Sequence, residues 1–288
     1  MEKLAAACLL LCALFIAAPG RAGEPVRILA AENFYADVAR QVGGPEVVVT
    51  AVLSSPDQDP HLFEASPSVA RAVAAADIVI YNGVAYDPWM QKLVGAAHRG
   101  GQRVIVAAGL VGAREGDNPH IWYDPATMSA VASALAEALA GVDPAQAAQY
   151  RQRQEAFAQA LRPLEERIGA MRARFAGAPV TATEPVAGWL LAALGLQVRN
   201  EAFARAVMNE TEPAASQVAG FEDDLKNHRV RLLIYNAQAS GPIALRMARL
   251  ARAAGVPVVG MSETEPAGLT YQGWIGAALD ALDQALAR

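Results

Sequence analysis

The chain alternates short apolar runs with amphipathic stretches. The runs at 26–31, 47–53, 78–81 and 103–107 are rich in Val and Ile and have the length of buried strands. The stretches at 34–42, 67–75 and 88–97 predict helices between them, which makes one α/β lobe. Beyond 177 the alternation resumes, with strands predicted at 179–183, 230–235 and 256–261 and helices at 186–194, 242–254 and 271–287. Between the two sets, Asp124-Pro125 places an acidic cap ahead of a first-turn proline and starts a helix that runs to 140. Asp143-Pro144 repeats the signal, and no glycine follows until Gly169. The stretch 144–175 therefore predicts one polar helix more than ~40 Å long at about 1.5 Å per residue, with a kink expected at Pro163. The predicted fold class is α/β: two lobes, each a mainly parallel sheet flanked by helices, joined by one long rigid helix. The expected units are 24–142, the linking helix at 143–176, and 177–288. No internal sequence repeat is visible.

The N-terminus changes the picture of where the protein works. Residues 4–18 are unbroken apolar positions behind Lys3, followed by Pro19-Gly20-Arg21-Ala22 with small residues two apart. That reads as a signal peptide over 1–23, cleaved near Ala22 or Gly23, and so as a periplasmic protein. The run is shorter than a bilayer span, and Leu11 before Cys12 fits a lipoprotein site poorly. Cys8 and Cys12, the two cysteines of the chain, both lie in this segment. The exported protein then has no thiol, and any metal chemistry falls to His and carboxylates. The net charge of -5 offers no electrostatic basis for binding nucleic acid.

Four histidines remain to be weighed. His98 at a helix end and His228 just before a strand read as surface residues. His61 and His120 each follow a proline and an Asp or Asn, in loops at the carboxyl edge of the first lobe's sheet, where ligand sites of open α/β sheets collect. Either imidazole could equally serve its own loop's backbone groups. The second lobe offers Glu184 after the strand at 179–183 and Glu263 after the strand at 256–261. Glu184 has the competing role of an acid at the start of a helix beginning at Pro185, and Glu263 that of a solvated loop residue. Two neutral imidazoles and two carboxylates would carry a charge of about -2, which suits Zn²⁺, Mn²⁺ or Fe²⁺ better than Ca²⁺ or Cu⁺.

Asp59-Pro60-His61-Leu62-Phe63-Glu64-Ala65-Ser66-Pro67-Ser68 resembles the first-ligand motif of the zinc and manganese class of solute-binding proteins of bacterial ABC importers, and Asn118-Pro119-His120-Ile121-Trp122-Tyr123-Asp124-Pro125 resembles the second. Glu184 stands five residues before Trp189 and eleven before Gly195, the spacing of the family's third ligand, and Glu210-Thr211-Glu212-Pro213 is similar to its acid-proline stretch. Val256 through Glu263 resembles the region of the fourth, acidic ligand. There the chain offers Ser262, Glu263 and Glu265 where members usually have Asp, and Glu263 is preferred. The loop before His120 lacks the His-rich insertion of many zinc-specific members. The resemblance runs from about Val26 to the C-terminus. It implies capture of one divalent ion, Zn²⁺ or Mn²⁺, by His61, His120, Glu184 and Glu263 in the cleft, and delivery by a monomer to an ABC-type permease in the inner membrane.

A metal-dependent adhesin or a metallochaperone would need the same site. A zinc hydrolase is the remaining alternative, since two His and a Glu can hold a catalytic zinc. No His-Glu-x-x-His helix or Gly-x-Ser-x-Gly turn occurs, so no enzyme activity is expected.

Overall fold

A computed structural model describes residues 24–55, 63–97, 99–238 and 241–288. The signal-peptide reading, His98 and Asp59 to Leu62 of the first-ligand motif, His61 among them, lie outside the described residues.

The first lobe runs β1 (Val26–Glu32), α1 (Asn33–Gly43), β2 (Val47–Leu53), α2 (Pro67–Ala75), β3 (Ile78–Tyr81), α3 (Pro88–Ala97), β4 (Arg103–Val106) and the short α4 (Ala107–Leu110). Then come α5 (Pro125–Val142) and the long α6 (Ala147–Phe175). The second lobe runs β5 (Pro179–Ala182), α7 (Gly188–Ala193), β6 (Gln197–Arg199), α8 (Glu201–Met208), α9 (Ala215–Lys226), β7 (Leu233–Asn236), α10 (Pro242–Ala253), β8 (Val258–Met261) and α11 (Tyr271–Leu286). Both sheets are parallel, in the orders β2-β1-β3-β4 and β6-β5-β7-β8, so the two lobes share one topology without sharing a sequence repeat.

The burial of β3 explains its sequence. Ile78, Val79, Ile80 and Tyr81 are all buried because helices cover both faces of a parallel sheet, so the strand reads as a continuous apolar run. Asp124 caps α5 by accepting from the Ala126 N–H at 3.0 Å, as the Asp-Pro signal predicts. The long helix starts three residues later than expected, after a 3₁₀ turn over Pro144–Gln146, and continues through Pro163 to Phe175. Its buried residues, Tyr150, Phe157, Leu161, Leu164, Met171 and Phe175, recur at spacings of three, four and seven and form one stripe. That stripe lets α6 pack on α1 and α5 of the first lobe and on α11 of the second.

The lobes meet through aromatic rings. Trp122 lies 4.6 Å from Phe34 and 4.8 Å from Tyr86, while Trp274 of α11 lies 5.9 Å from Phe34 and 5.4 Å from Tyr123.

Three elements of the second lobe were not foreseen. β6 is a three-residue edge strand, and α8 and α9 flank the exposed Glu210-Thr211-Glu212 turn, where Glu210 takes a positive φ of 54°. β7 and β8 also begin three and two residues later than the apolar runs suggested. Leu232 is buried but lies just outside β7.

Candidate metal centre

In each sheet the chain reverses its direction of winding between the two central strands, β1 and β3 in one lobe and β5 and β7 in the other. Such switch points leave a crevice at the carboxyl ends of the strands. Glu32 ends β1, Asn236 ends β7, and Glu184 and Glu263 each stand two residues beyond β5 and β8. The two crevices face each other, because hydrogen bonds cross between their loops: Tyr86 Oη donates to Glu263 Oε2 at 2.9 Å and Tyr123 Oη to the Ser262 carbonyl at 2.8 Å.

His120 is wholly buried, at the start of a 3₁₀ turn over Ile121–Tyr123. Its Nδ1 lies 2.6 Å from Asn118 Oδ1, which also accepts the His120 backbone N–H at 3.1 Å. Asn118 Nδ2 donates to the Pro185 carbonyl at 2.7 Å, so the Asn118 oxygen must be the atom facing the ring. That contact makes Nδ1 the protonated nitrogen and leaves the lone pair on Nε2. Nε2 is buried and has no hydrogen-bond partner. Gly188 makes this arrangement sterically possible, since a Cβ there would stand 2.5 Å from Asn118 Nδ2.

The His120 Nε2 atom lies 3.8 Å from Glu263 Oε2. Two donors on a tetrahedral zinc ion at ~2.1 Å stand roughly 3.4 Å apart, so an ion fits between them with a shift of a few tenths of an ångström. Glu184 joins through Asn236, whose Nδ2 donates to Glu184 Oε2 at 2.9 Å and to Glu263 Oε1 at 2.5 Å. Among the described residues no group of three His, Cys, Asp or Glu closes into a complete metal cluster. The arrangement is instead a His120–Glu263 pair with Glu184 tethered beside it.

Glu184 does not act as a helix cap. The expected helix at 186 begins at Gly188, and 184–187 form a turn closed by the Gly188 N–H on the Pro185 carbonyl at 3.0 Å. Proline at 185 is a helix-start signal in the sequence, but here its carbonyl serves Asn118. Glu265 is brought near but not into the group. Its Oε2 is buried without a partner, and burial together with Asp37 pushes its carboxyl up to about 8. Ser262 contributes its carbonyl to Tyr123. His228 is exposed, at a positive φ of 53°, as a surface residue should be.

Tyr86 and Asn236 take part in the site but were not singled out from the sequence. Tyr86 follows Gly83, Val84 and Ala85, all three with positive φ, and a β-branched residue in that region costs on the order of 1–3 kcal/mol. Asp87 holds the turn by accepting the Asn82 and Gly83 N–H groups at 2.6 and 2.8 Å. The signal that could have found both residues is position: Tyr86 follows β3 and Asn236 ends β7, at the same sheet edges as the other candidates. Burial, with Glu263 next in effect, raises the Tyr86 hydroxyl well above its ordinary value, so it stays a donor.

Behind Tyr86 lies a second buried pair. Glu32 stands at the N-cap of α1 without capping it, and its carboxyl is raised well above the ordinary range by burial and then by Asp87. Asp87 is itself pushed up to about 6 by burial. Neither Glu32 oxygen has a hydrogen-bond partner, and the nearby Asp87 charge adds to burial in favouring the protonated carboxyl.

The family described as zinc-uptake complex component A, periplasmic, matches residues 28–285. The manganese-binding lipoprotein MntA of Halalkalibacterium halodurans is 28% identical over 151 residues, covering 51% of this chain and 49% of that protein. A putative metal-binding protein of Treponema pallidum is 23% identical over 237 residues, covering 75% and 73%. The chain spans about half the length of the first curated relatives it matches. The solved periplasmic zinc-binding protein TroA from Treponema pallidum superposes with a TM-score of 0.77 at 21% identity, over 92% of this chain and all of that one, which makes the two-lobe fold the same. With the match extending through both lobes and the long helix, the chain belongs to the family of the periplasmic zinc-uptake complex component A.

Proposed function

We propose that this protein captures one divalent transition-metal ion, Zn²⁺ or Mn²⁺, in the periplasm and delivers it as a monomer to an ABC-type permease in the inner membrane, with no catalytic turnover and no nucleic-acid partner. The observation that carries the reading is the buried, partnerless Nε2 of His120 facing Glu263 Oε2 at 3.8 Å. A buried lone pair beside a carboxylate is costly unless a cation joins them. The ligand set is His61, His120, Glu184 and Glu263, with Glu263 in preference to Glu265 because it shares Asn236 with Glu184. Manganese in the name of one relative and zinc in that of another support a divalent cargo without choosing between the two.

The same reading takes 1–23 as a cleaved signal peptide, 24–142 and 177–288 as the lobes and 143–176 as the link. Titration of the apo protein with Zn²⁺ in a calorimeter tests the central part. One ion per chain is expected, with His61→Ala and His120→Ala each weakening it by at least ~10-fold. Unchanged affinity in both variants would overturn the ligand set.

A further inference from the structure

We infer that the second lobe holds an anion site at the sheet edge remote from the metal centre, and that it takes a phosphate-bearing ligand; nothing in it depends on the metal ligands proposed above. A cavity of about 600 Å³ opens where Val230 and Arg231 lead into β7 and Val256 and Pro257 lead into β8. Both strands run away from it, so it lies at the amino edge of the sheet, whereas Glu263 follows the carboxyl end of β8. His228, Arg231, Arg252 and Arg288 line it, and no Asp or Glu side chain does. In a chain of net charge -5 that is a local reversal of sign.

Two ordinary roles for these arginines fall short. The first is pairing with carboxylates, but the acids of the neighbouring helices are already matched. On α9, Glu222 pairs with Lys226, Asp223 with Arg229 and Asp224 with Arg199, and on α11 Asp280 pairs with Arg167 and Asp283 with Arg174. No ion pair among the described residues includes Arg231, Arg252 or Arg288. The second role is service to helix ends, where a cation offsets the negative end of the dipole. Arg252 stands in the last turn of α10 and Arg288 two residues past α11, so both fit it. Arg231 does not, because it precedes a strand.

A phosphate group suits the arrangement. Each guanidinium offers a planar fork of N–H donors that can pair with two phosphate oxygens at once. Arg252 is partly held in place, its Cζ lying 5.8 Å from the centroid of the Tyr235 ring, so less side-chain freedom is lost on binding. The volume falls within the range of small-ligand sites. A free inorganic phosphate anion and the headgroup of an anionic phospholipid present the same chemistry to these forks.

The test titrates the full exported protein with inorganic diphosphate at low ionic strength, where screening is weakest. A second arm floats it with vesicles of phosphatidylglycerol, with phosphatidylcholine vesicles as the neutral comparison. Arg231→Gln with Arg252→Gln removes two forks, and both positions are exposed, so the fold should survive, which circular dichroism checks. Arg71→Gln with Arg162→Gln removes the same charge from exposed positions on α2 and α6. The expected result is saturable binding in at least one arm, weakened roughly 10-fold or more by the first pair and unaltered by the second. Diphosphate binding identifies a free anion as ligand, and vesicle binding without it identifies a headgroup. No binding in either arm, no loss from the first pair, or an equal loss from the second would overturn the inference. Zinc titration of the wild type is a separate measurement, so failure of the metal reading leaves this result standing.

Discussion

Asn33 and Glu265 exchange two hydrogen bonds across the lobes: Asn33 Nδ2 donates to the Glu265 carbonyl at 2.7 Å, and the Glu265 N–H donates to Asn33 Oδ1 at 3.0 Å. A side-chain amide here closes on a backbone as one strand closes on another. Asn33 opens α1, directly after the strand that ends in Glu32, and Glu265 lies two residues past Glu263. The contact therefore ties the loop of a candidate ligand to the first lobe.

Removing that amide leaves two part-buried backbone groups unpaired. Asn33→Ala should lower the unfolding free energy by about 1–3 kcal/mol and weaken metal binding as the 262–265 loop loosens. Urea unfolding and Zn²⁺ titration of the variant check both effects. An unchanged urea midpoint would show that the loop is held without Asn33.

Two neighbouring acids make a sharp comparison. Glu263 faces His120, whereas Glu265 lies close to Asp37 and Arg40. Glu263→Ala should reduce zinc affinity by ~10-fold to 100-fold, and Glu265→Ala by far less. Calorimetry on the pair decides it, and a greater loss from Glu265→Ala would reverse the assignment.

The strand and helix alternation was legible because both sheets are covered on two faces, which makes β3 wholly apolar. The same signal fails for β6, where Gln197 and Arg199 flank a single Val in a three-residue edge strand. His120 stood out through its Asn-Pro-His setting, which the structure explains by Asn118 orienting the ring. Asn236 carried no such mark. An asparagine at a strand end reads as turn punctuation, and its role arises from contacts with residues 52 and 27 positions away in sequence. The start of α7 was misplaced because Pro185 looks like a first-turn proline, while its carbonyl is used across the cleft.

The Glu32 and Asp87 pair gives the apo protein a pH signature. Both groups hold protons more tightly folded than unfolded, so their contribution is complete below the ordinary carboxyl range. It is lost as pH rises through the folded values, about 6 for Asp87 and higher than the ordinary 4.5 for Glu32. Apo stability should thus fall between pH 5 and pH 8, and less so in Glu32→Gln, whose amide can donate to Asp87 without titrating. Glu265 titrates in the same direction in both proteins, so the difference between them isolates the pair. Urea midpoints at the two pH values report it, and equal losses in both proteins would contradict a coupled Glu32 and Asp87 titration.

The most direct test of a divalent ion held between the lobes is a crystal of the zinc-loaded protein with anomalous diffraction collected on both sides of the zinc edge. The account predicts one strong peak in the cleft, ~2.0–2.2 Å from His120 Nε2 and within bonding distance of one oxygen each of Glu184 and Glu263. A peak elsewhere, or none within reach of His120 while the protein still retains zinc, would contradict it.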